Sequence, residues 1–136
     1  MAQFPSDKRR RSVSVTSNKT LTAADQGIVQ NVQADGVVIT LPSTAAGTTF
    51  VIRNGGVPVS NGPAGSGSNA SLAVTVSPAA ADAIAGNGFT AAVNKDAINT
   101  KATSTVGDEI TIVGSGTAGV AAWNIQELVG TWAREA

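Results

Sequence analysis

The side chains that most often carry out enzyme chemistry are missing from this sequence. The chain of 136 residues contains no histidine, cysteine or tyrosine, which removes the commonest general base, the thiolate nucleophile and the phenolic acid. Asp108 and Glu109 are adjacent carboxylates, but in a strand they would point to opposite faces and could not share a substrate. We therefore expect a protein that is not an enzyme and has no catalytic residues.

A glycine-rich motif, GSGTAG at 114–119, follows a predicted strand and matches the phosphate-binding pattern GxGxxG. The dinucleotide fingerprint also needs a helix, a second parallel strand and an acidic residue about 20 positions further on. Only 17 residues follow Gly119, and AWNIQELVGTW has strand character. The motif therefore predicts a tight polar loop and no cofactor. The sequence has no EF-hand spacing or cluster of hard oxygen ligands, so no metal site is expected.

Composition indicates one small β domain with a weakly charged surface. Charged residues make up 13% of the chain, against about 25% in typical domains. Aromatic residues make up only 4%, so the core should be thin, as in a sandwich or small barrel. No apolar run approaches the ~18 residues of a membrane span, and no apolar segment follows the basic N-terminus as in a signal peptide. A weakly charged surface suits packing against another protein.

Alternation of apolar and polar residues predicts the strands. The stretch 27–56 is expected to form an antiparallel meander of three strands with a hairpin at Asp35-Gly36. Further strands are predicted at 12–17, 71–77 and 109–113. The side chains expected to face the core are Val13, Val15, Val37, Ile39, Leu41, Phe50, Ile52, Leu72, Val74, Val76, Ile110 and Ile112.

The remaining elements are shorter or less regular. Helical turns are expected after Thr22 as N-cap and over 77–86, where Pro78 suits the first helical position. A short strand is expected at 89–93, and the polar stretch 94–104 is ambiguous. The fold class is therefore all-β, a small antiparallel sandwich or barrel of seven to nine strands with one or two short helical turns.

The closing strand, predicted over 122–131, has apolar residues on both faces. Trp123 and Ile125 share one face, while Leu128 and Trp132 lie on the other. A bulge near Glu127, or burial of the second face by a neighbouring chain, would explain the change of face. The second explanation makes Trp123, Leu128 and Trp132 a predicted trimer interface.

The N-terminal residues 1–11 are predicted to be an extended arm on a single β domain of residues 12–136. The arm holds four basic residues and Asp7, a net charge of +3, and the body holds five basic and eight acidic residues, a net charge of −3. An unanchored terminus is commonly disordered, and the alternative is an arm that orders on an acidic partner. Nucleic acid is not an expected partner, because the body is acidic and has no aromatic platform. The partner-binding residues would be Phe4, Lys8, Arg9, Arg10 and Arg11.

The long loop 54–70 is rich in Gly, Ser, Asn and Pro. Loops of this length are uncommon in compact domains and are either functional or mobile. We expect it to be less ordered than the strands in the free protein, and both a flexible tip and a contact with a subunit or partner remain open.

Several segments resemble small structural proteins of tailed bacteriophages. These are LTAADQGIVQNVQADGVVITLPSTAAGTTFVIRNGG, GFTAAVNKDAINTKATSTVGDEITIVGSG and WNIQELVGTWARE, and the resemblance extends over about residues 12–136. The chain resembles the capsid decoration, or cement, proteins. That resemblance implies a homotrimer at threefold or quasi-threefold positions of the outer capsid surface, with the major capsid protein as partner. It also implies a strand at 100–105. The alternative is a trimeric module of a phage fibre that binds host glycans, for which only Trp123 and Trp132 could stack on a sugar.

Overall fold

The computed structural model describes residues 11–57 and 72–136. These residues form strands joined by turns, with one short 3₁₀ helix at Ala23–Asp25. The strands are β1 (Arg11–Val15), β2 (Lys19–Thr20), β3 (Ile28–Val32), β4 (Val37–Thr40), β5 (Thr49–Asn54), β6 (Val74–Ser77), β7 (Ile84–Ala85), β8 (Ala97–Asn99), β9 (Glu109–Gly114), β10 (Trp123–Val129) and β11 (Ala133–Arg134).

The strands form two mixed sheets. Sheet A has the order β1-β3-β5-β9-β10-β7, and sheet B has the order β11-β8-β6-β4-β2. Apolar side chains from the two sheets meet in one core between them. The all-β prediction is confirmed, and of the two predicted architectures the chain adopts the sandwich.

The first six strands alternate between the sheets, so that the chain coils from one layer to the other. Successive strands within a layer are therefore parallel: β1 with β3, β3 with β5, β2 with β4 and β4 with β6. Two parallel strands need a crossover connection, and here each crossover contains a strand of the opposite sheet. Val29, for example, lies beside Val51, which is 22 residues further along the chain.

The predicted antiparallel meander over 27–56 is wrong. Gly36 does adopt a positive φ of 79°, but the turn carries the chain from sheet A to sheet B instead of back along one sheet. Asp35 and Gly36 are hydrogen-bonded to Ala73, the residue directly before β6. Ala73 donates its N–H to Asp35 Oδ1, and Gly36 donates its N–H to the Ala73 carbonyl. This arrangement places the apolar faces of β3 and β4 against each other, which buries both.

The second half of the chain adds antiparallel strands to both layers. β9 pairs with β5 and β10 in sheet A, and β8 pairs with β6 and β11 in sheet B. The register of β10 shifts between Ile125 and Glu127, so the predicted bulge near Glu127 is confirmed.

The core is made mainly by short aliphatic side chains around one aromatic pair. The rings of Phe50 and Trp123 lie with centroids 5.6 Å apart and their planes at 43°, within the range of favourable aromatic pairs. Of the side chains predicted to face the core, only Val13 is exposed, at 39%. Val13 lies beside Gln30 in register, but its strand is the edge of sheet A, so it has a neighbouring strand on one side only.

The other predicted local elements have mixed outcomes. The 3₁₀ helix follows Thr22 as predicted, and Asp25 Oδ2 accepts the Thr22 N–H at 2.9 Å. The helix predicted over 77–86 is wrong, because the segment turns at 79–82 and then forms β7, which pairs with the start of β10. The strand predicted at 89–93 is reduced to isolated bridges. The strand predicted at 100–105 is also wrong: Thr103 donates to the Thr100 carbonyl in a turn, and the strand lies earlier, at β8.

Candidate binding surface

A groove runs across the outer face of sheet A, on the side away from the core. Its volume is about 480 Å³, within the range of roughly 300–1,000 Å³ that is usual for ligand sites. We call it the sheet A groove. Its lining residues are Ser12, Val29, Asn31, Gln33, Arg53, Gly55, Val106 and Glu109.

Strand register brings these side chains together from distant parts of the sequence. Ser12 of β1 lies beside Val29 of β3, and Asn31 of β3 lies beside Arg53 of β5. Arg53 in turn lies opposite Glu109 of β9. Side chains at paired positions share one face of a sheet, so the groove presents a cation and a carboxylate side by side.

The groove also contains a polar atom without a partner. Asn31 Oδ1 is buried and has no hydrogen-bond partner among the described residues. The Asn31 side chain packs on Gly55, where a Cβ would come within 2.5 Å of Asn31 Oδ1. Gly55 is therefore needed for the Asn31 side chain to fit. A buried acceptor without a donor costs about 1–3 kcal/mol.

A buried network of hydrogen bonds lies next to the end of the sheet A groove that Gly55 and Glu109 line. Asn54, just before Gly55, donates to Asn99 Oδ1 at 2.8 Å, and Asn99 Nδ2 donates to Asp108 Oδ2 and to the Thr131 carbonyl at 2.9 Å each. Asn54 Oδ1 accepts the Gly56 N–H at 3.0 Å. The network joins the ends of β5, β8, β9 and β10 and so fixes the backbone on which the groove is built.

Asp108 and Glu109 point to opposite sides of sheet A, as predicted. Asp108 faces the buried network, where its Oδ2 also accepts the Thr105 N–H at 2.9 Å. Glu109 faces the sheet A groove. The two carboxylates therefore have separate surroundings and no common space for a substrate.

Of the predicted arm residues, Arg11 is the only one among the described part of the chain. It is the first residue of β1, is exposed, and lies beside Ile28. Because β1 is the edge strand of sheet A, the segment before Arg11 joins the body at its surface. Phe4, Lys8, Arg9 and Arg10 lie outside the described residues, as do residues 58–70 of the predicted long loop.

The residues predicted as a trimer interface are mostly buried within one chain. Trp123 is fully buried in the core, and Trp132 is 8% exposed. Leu128 is partly buried and packs against the same core. The bulge in β10 explains why both faces of this strand are apolar, so a neighbouring chain is not needed to account for the pattern. The homotrimer itself stays a prediction.

The glycines of GSGTAG have local structural roles. A Cβ on Gly114 would lie 2.4 Å from the Ala45 carbonyl oxygen, and one on Gly116 would lie 3.0 Å from the Ala46 Cβ. Gly119 has a φ of 103° and donates its N–H to Asp82 Oδ1. The segment ends in β10, an antiparallel neighbour of β9, where a dinucleotide fingerprint would place a helix. The glycines of this motif are therefore explained by close packing within a loop.

Two exposed turns contain carboxylates with altered acidity. A hydrogen bond from Lys101 Nζ at 2.6 Å is the main reason that the pKa of Asp35 is lowered, and the Ala73 N–H adds to the effect. For Asp25, burial raises the pKa, but hydrogen bonds from the Thr22 N–H and Lys19 outweigh it, so that the pKa of Asp25 is lowered overall. Both groups anchor turns at the body surface and lie outside the groove.

The described residues contain no group of three or more Asp, Glu, His or Cys side chains placed to hold a metal ion. No helix in this part of the chain is long and apolar enough to cross a membrane. No protein-family model matches the chain, and no curated protein matches it either.

The sheet A groove was not predicted from the sequence. Val29 and Val51 were a signal for it, because both fall on the outward face of their strands and yet are 5% and 7% exposed. Apolar residues on both faces of neighbouring strands indicate burial on both sides of the sheet. Recognising them as neighbours requires the parallel register of β3 and β5, which the predicted meander excluded.

Proposed function

We propose that this chain is a viral structural protein that decorates and stabilises the outer surface of a phage capsid as a homotrimer, with the major capsid protein as partner. The observation that carries the proposal is the division of charge between the arm and the body. The arm of residues 1–11 has a net charge of +3 and the rest of the chain −3. The arm also begins from an exposed edge strand, which suits a segment that reaches onto another protein.

The mechanism would be cementing by several weak contacts at once. A trimer presents three arms, and after the first has bound, the others bind at a high effective concentration. Opening of the capsid lattice must then break these contacts together. Exposed ion pairs contribute only about 0.2–1 kcal/mol each and are screened by salt. Phe4 is therefore expected to supply apolar contact area beside the charges of Lys8, Arg9, Arg10 and Arg11.

The burial of both tryptophans favours this proposal over a glycan-binding fibre module. Trp123 is fully buried and Trp132 is 8% exposed, so neither offers an open ring face on which a sugar could stack. Among the residues that the structure describes, none that lines the sheet A groove is aromatic. Specific binding on a glycan array would support the fibre alternative.

Deletion of residues 2–10 tests the role of the arm. We expect the shortened protein to keep its fold, because Arg11 to Val15 still form β1, and to bind undecorated expanded capsids at least tenfold more weakly. The measurement is co-sedimentation of the protein with capsids over a range of protein concentrations. A Phe4→Ala variant and a variant with Lys8, Arg9 and Arg10 all changed to Gln separate the apolar from the charged contribution. Only the loss caused by removing the charges should shrink as salt is raised.

Equal binding by the shortened and full-length proteins would remove the arm from the mechanism. If the full-length protein itself does not bind capsids, the proposed function is wrong.

A further inference from the structure

We propose that the folded chain joins Lys19 to Gln30 by an isopeptide bond that it forms on its own, with Asp25 as the group that moves the protons. The bond would connect β2 of sheet B to β3 of sheet A. This modification goes beyond the proposed function and does not depend on it, because neither a capsid nor a second copy of the chain takes part.

The connection between β2 and β3 brings the three side chains together. Lys19 lies in β2, Asp25 in the 3₁₀ helix and Gln30 in β3. Gln30 shares the inward face of its strand with Val32 and is fully buried. Because the connection passes from sheet B to sheet A, the lysine meets the buried amide between the two layers.

Lys19 Nζ contacts both of the other groups. It donates to Gln30 Oε1 at 2.7 Å and lies 3.2 Å from Asp25 Oδ1. A C=O bond is about 1.23 Å long, so this nitrogen is at most about 3.9 Å from Gln30 Cδ. Reacting atoms in a near-attack arrangement are about 3–3.5 Å apart. A small rotation of the lysine side chain is therefore sufficient to reach that arrangement.

Hydrogen bonds hold the amide and the carboxylate in place. Gln30 Nε2 donates to the Ile28 carbonyl at 3.1 Å, which leaves Oε1 for the lysine. Asp25 Oδ2 accepts the Thr22 N–H at 2.9 Å, which leaves Oδ1 for the lysine. The lysine and aspartate side chains are only 32% and 17% exposed. Groups positioned in this way have the high effective concentration that favours an intramolecular reaction.

The reaction is a transamidation between two side chains. Asp25 takes one proton from the Lys19 ammonium, as a general base does for an amine nucleophile. The neutral Nζ attacks Gln30 Cδ, so that the Nζ–Cδ bond forms and the Cδ–Nε2 bond breaks. The departing nitrogen receives the proton held by Asp25 and a second proton from Nζ, and it leaves as ammonium. The products are an amide between the two side chains and the original Asp25 carboxylate.

Mass spectrometry of the purified, folded protein tests the bond, because its formation removes one ammonia from the chain. Cyclisation at an Asn-Gly pair also removes ammonia, so the site has to be mapped. Cleavage before each aspartate separates Lys19 from Gln30. The peptides 7–24 and 25–34 should nevertheless remain joined and together lack one ammonia.

Three variants separate this reaction from a simple ion pair. Lys19→Arg keeps the positive charge beside Asp25 but removes the amine nucleophile, so it should abolish the bond. Asp25→Asn removes the proton acceptor and should slow formation of the bond at least about tenfold. The matched control is Lys101→Arg, which changes a lysine that pairs with Asp35 and should leave the bond unaffected.

Separate peptides of unaltered mass from the unsubstituted protein, after prolonged incubation in the folded state, would overturn the proposal. This measurement does not require any variant to fold. Joined peptides in the Lys19→Arg variant would also overturn it. Equal rates of bond formation in the Asp25→Asn variant and the unsubstituted protein would overturn the role given to Asp25.

Discussion

Asn99 joins four strand ends through a single side chain. Its Oδ1 accepts from Asn54 Nδ2, and its Nδ2 donates to Asp108 Oδ2 and to the Thr131 carbonyl. Asn99 is fully buried and Asp108 is 6% exposed, so water cannot easily replace the lost partners. The network therefore stabilises the fold in two ways. Its hydrogen bonds are favourable, and loss of one member would leave the remaining buried polar groups without partners, which is costly.

Replacement of Asn99 by Ala should lower the free energy of unfolding by about 3 kcal/mol, because it leaves a buried amide and a buried carboxylate each short of a partner. Urea unfolding followed by the fluorescence of the buried Trp123 measures the change. The matched control is Asn124→Ala, at an exposed position on β10, which should change the stability by less than about 0.5 kcal/mol. Similar losses in the two variants would mean that the network is not important for stability.

At the scale of single residues, the sequence predicted which apolar residues are buried better than it predicted which polar residues form the buried network. Phe50, Ile52, Leu72, Ile110 and Ile112 follow the period of two and are buried as expected. Asn54 and Asn99 gave no such signal, because an asparagine near a glycine or a threonine is equally typical of a surface turn. The two asparagines are hydrogen-bonded to each other but lie 45 residues apart in the chain. A single sequence gives no information about pairing over such a separation.

At the scale of elements, ion pairs stabilise the two connections that flank β3, one before the strand and one after it. Asp35 in the turn between β3 and β4 pairs with Lys101 in the turn after β8, with 2.6 Å between Oδ2 and Nζ. Asp25 in the 3₁₀ helix pairs with Lys19 of β2 at 3.2 Å. Both carboxylates have a lowered pKa in the folded protein, so both contribute to the pH dependence of stability.

Lys101→Met should raise the pKa of Asp35 towards the ordinary value of about 3.9, because Lys101 is the main cause of the lowering. A carboxyl whose pKa is lower in the folded state stabilises the fold above the unfolded pKa and loses that effect as the pH falls through the folded pKa. The stability of the unmodified protein should thus fall more steeply below about pH 4 than that of the variant. NMR titration of the carboxyl carbons measures both groups at once.

Asp25 is the internal control for this titration. Its hydrogen bonds come from Thr22 and Lys19, so its pKa should be the same in the Lys101→Met variant and in the unmodified protein. A shift of Asp25 equal to that of Asp35 would indicate a general change in the fold, and an unchanged Asp35 would contradict the assigned cause.

The errors in the predicted elements have a common physical origin. The sequence signal for a strand is local, but the choice of its neighbour depends on which apolar faces meet across the core. Asp35-Gly36 was expected to close a hairpin, since Gly36 supplies the positive φ that such a turn needs. The same conformation also suits a turn that passes between layers, and only the packing of β3 against β4 distinguishes the two. The groove depends on that parallel arrangement, so it could not be predicted either.

At the scale of the whole molecule, we expect the protein to be a homotrimer in solution. The weakly charged surface and the opposite charges of arm and body motivate this expectation. Light scattering coupled to size-exclusion chromatography should give about three times the chain mass of 13.5 kDa at micromolar concentration. A monomeric mass for the full-length protein at this concentration would contradict the prediction.

The position of β8 and β9 in the middle of their sheets affects how the protein is made. β9 covers the open side of β5 in sheet A, and β8 covers the open side of β6 in sheet B, yet both strands come well after their partners along the chain. A nascent chain therefore carries paired but unfinished layers, with free edges on β5 and β6, until β8 and β9 have been synthesised. At about 5–20 residues per second, the ribosome leaves these edges open for several seconds. Chains that terminate early keep them open and would be the main source of aggregation during high-level expression.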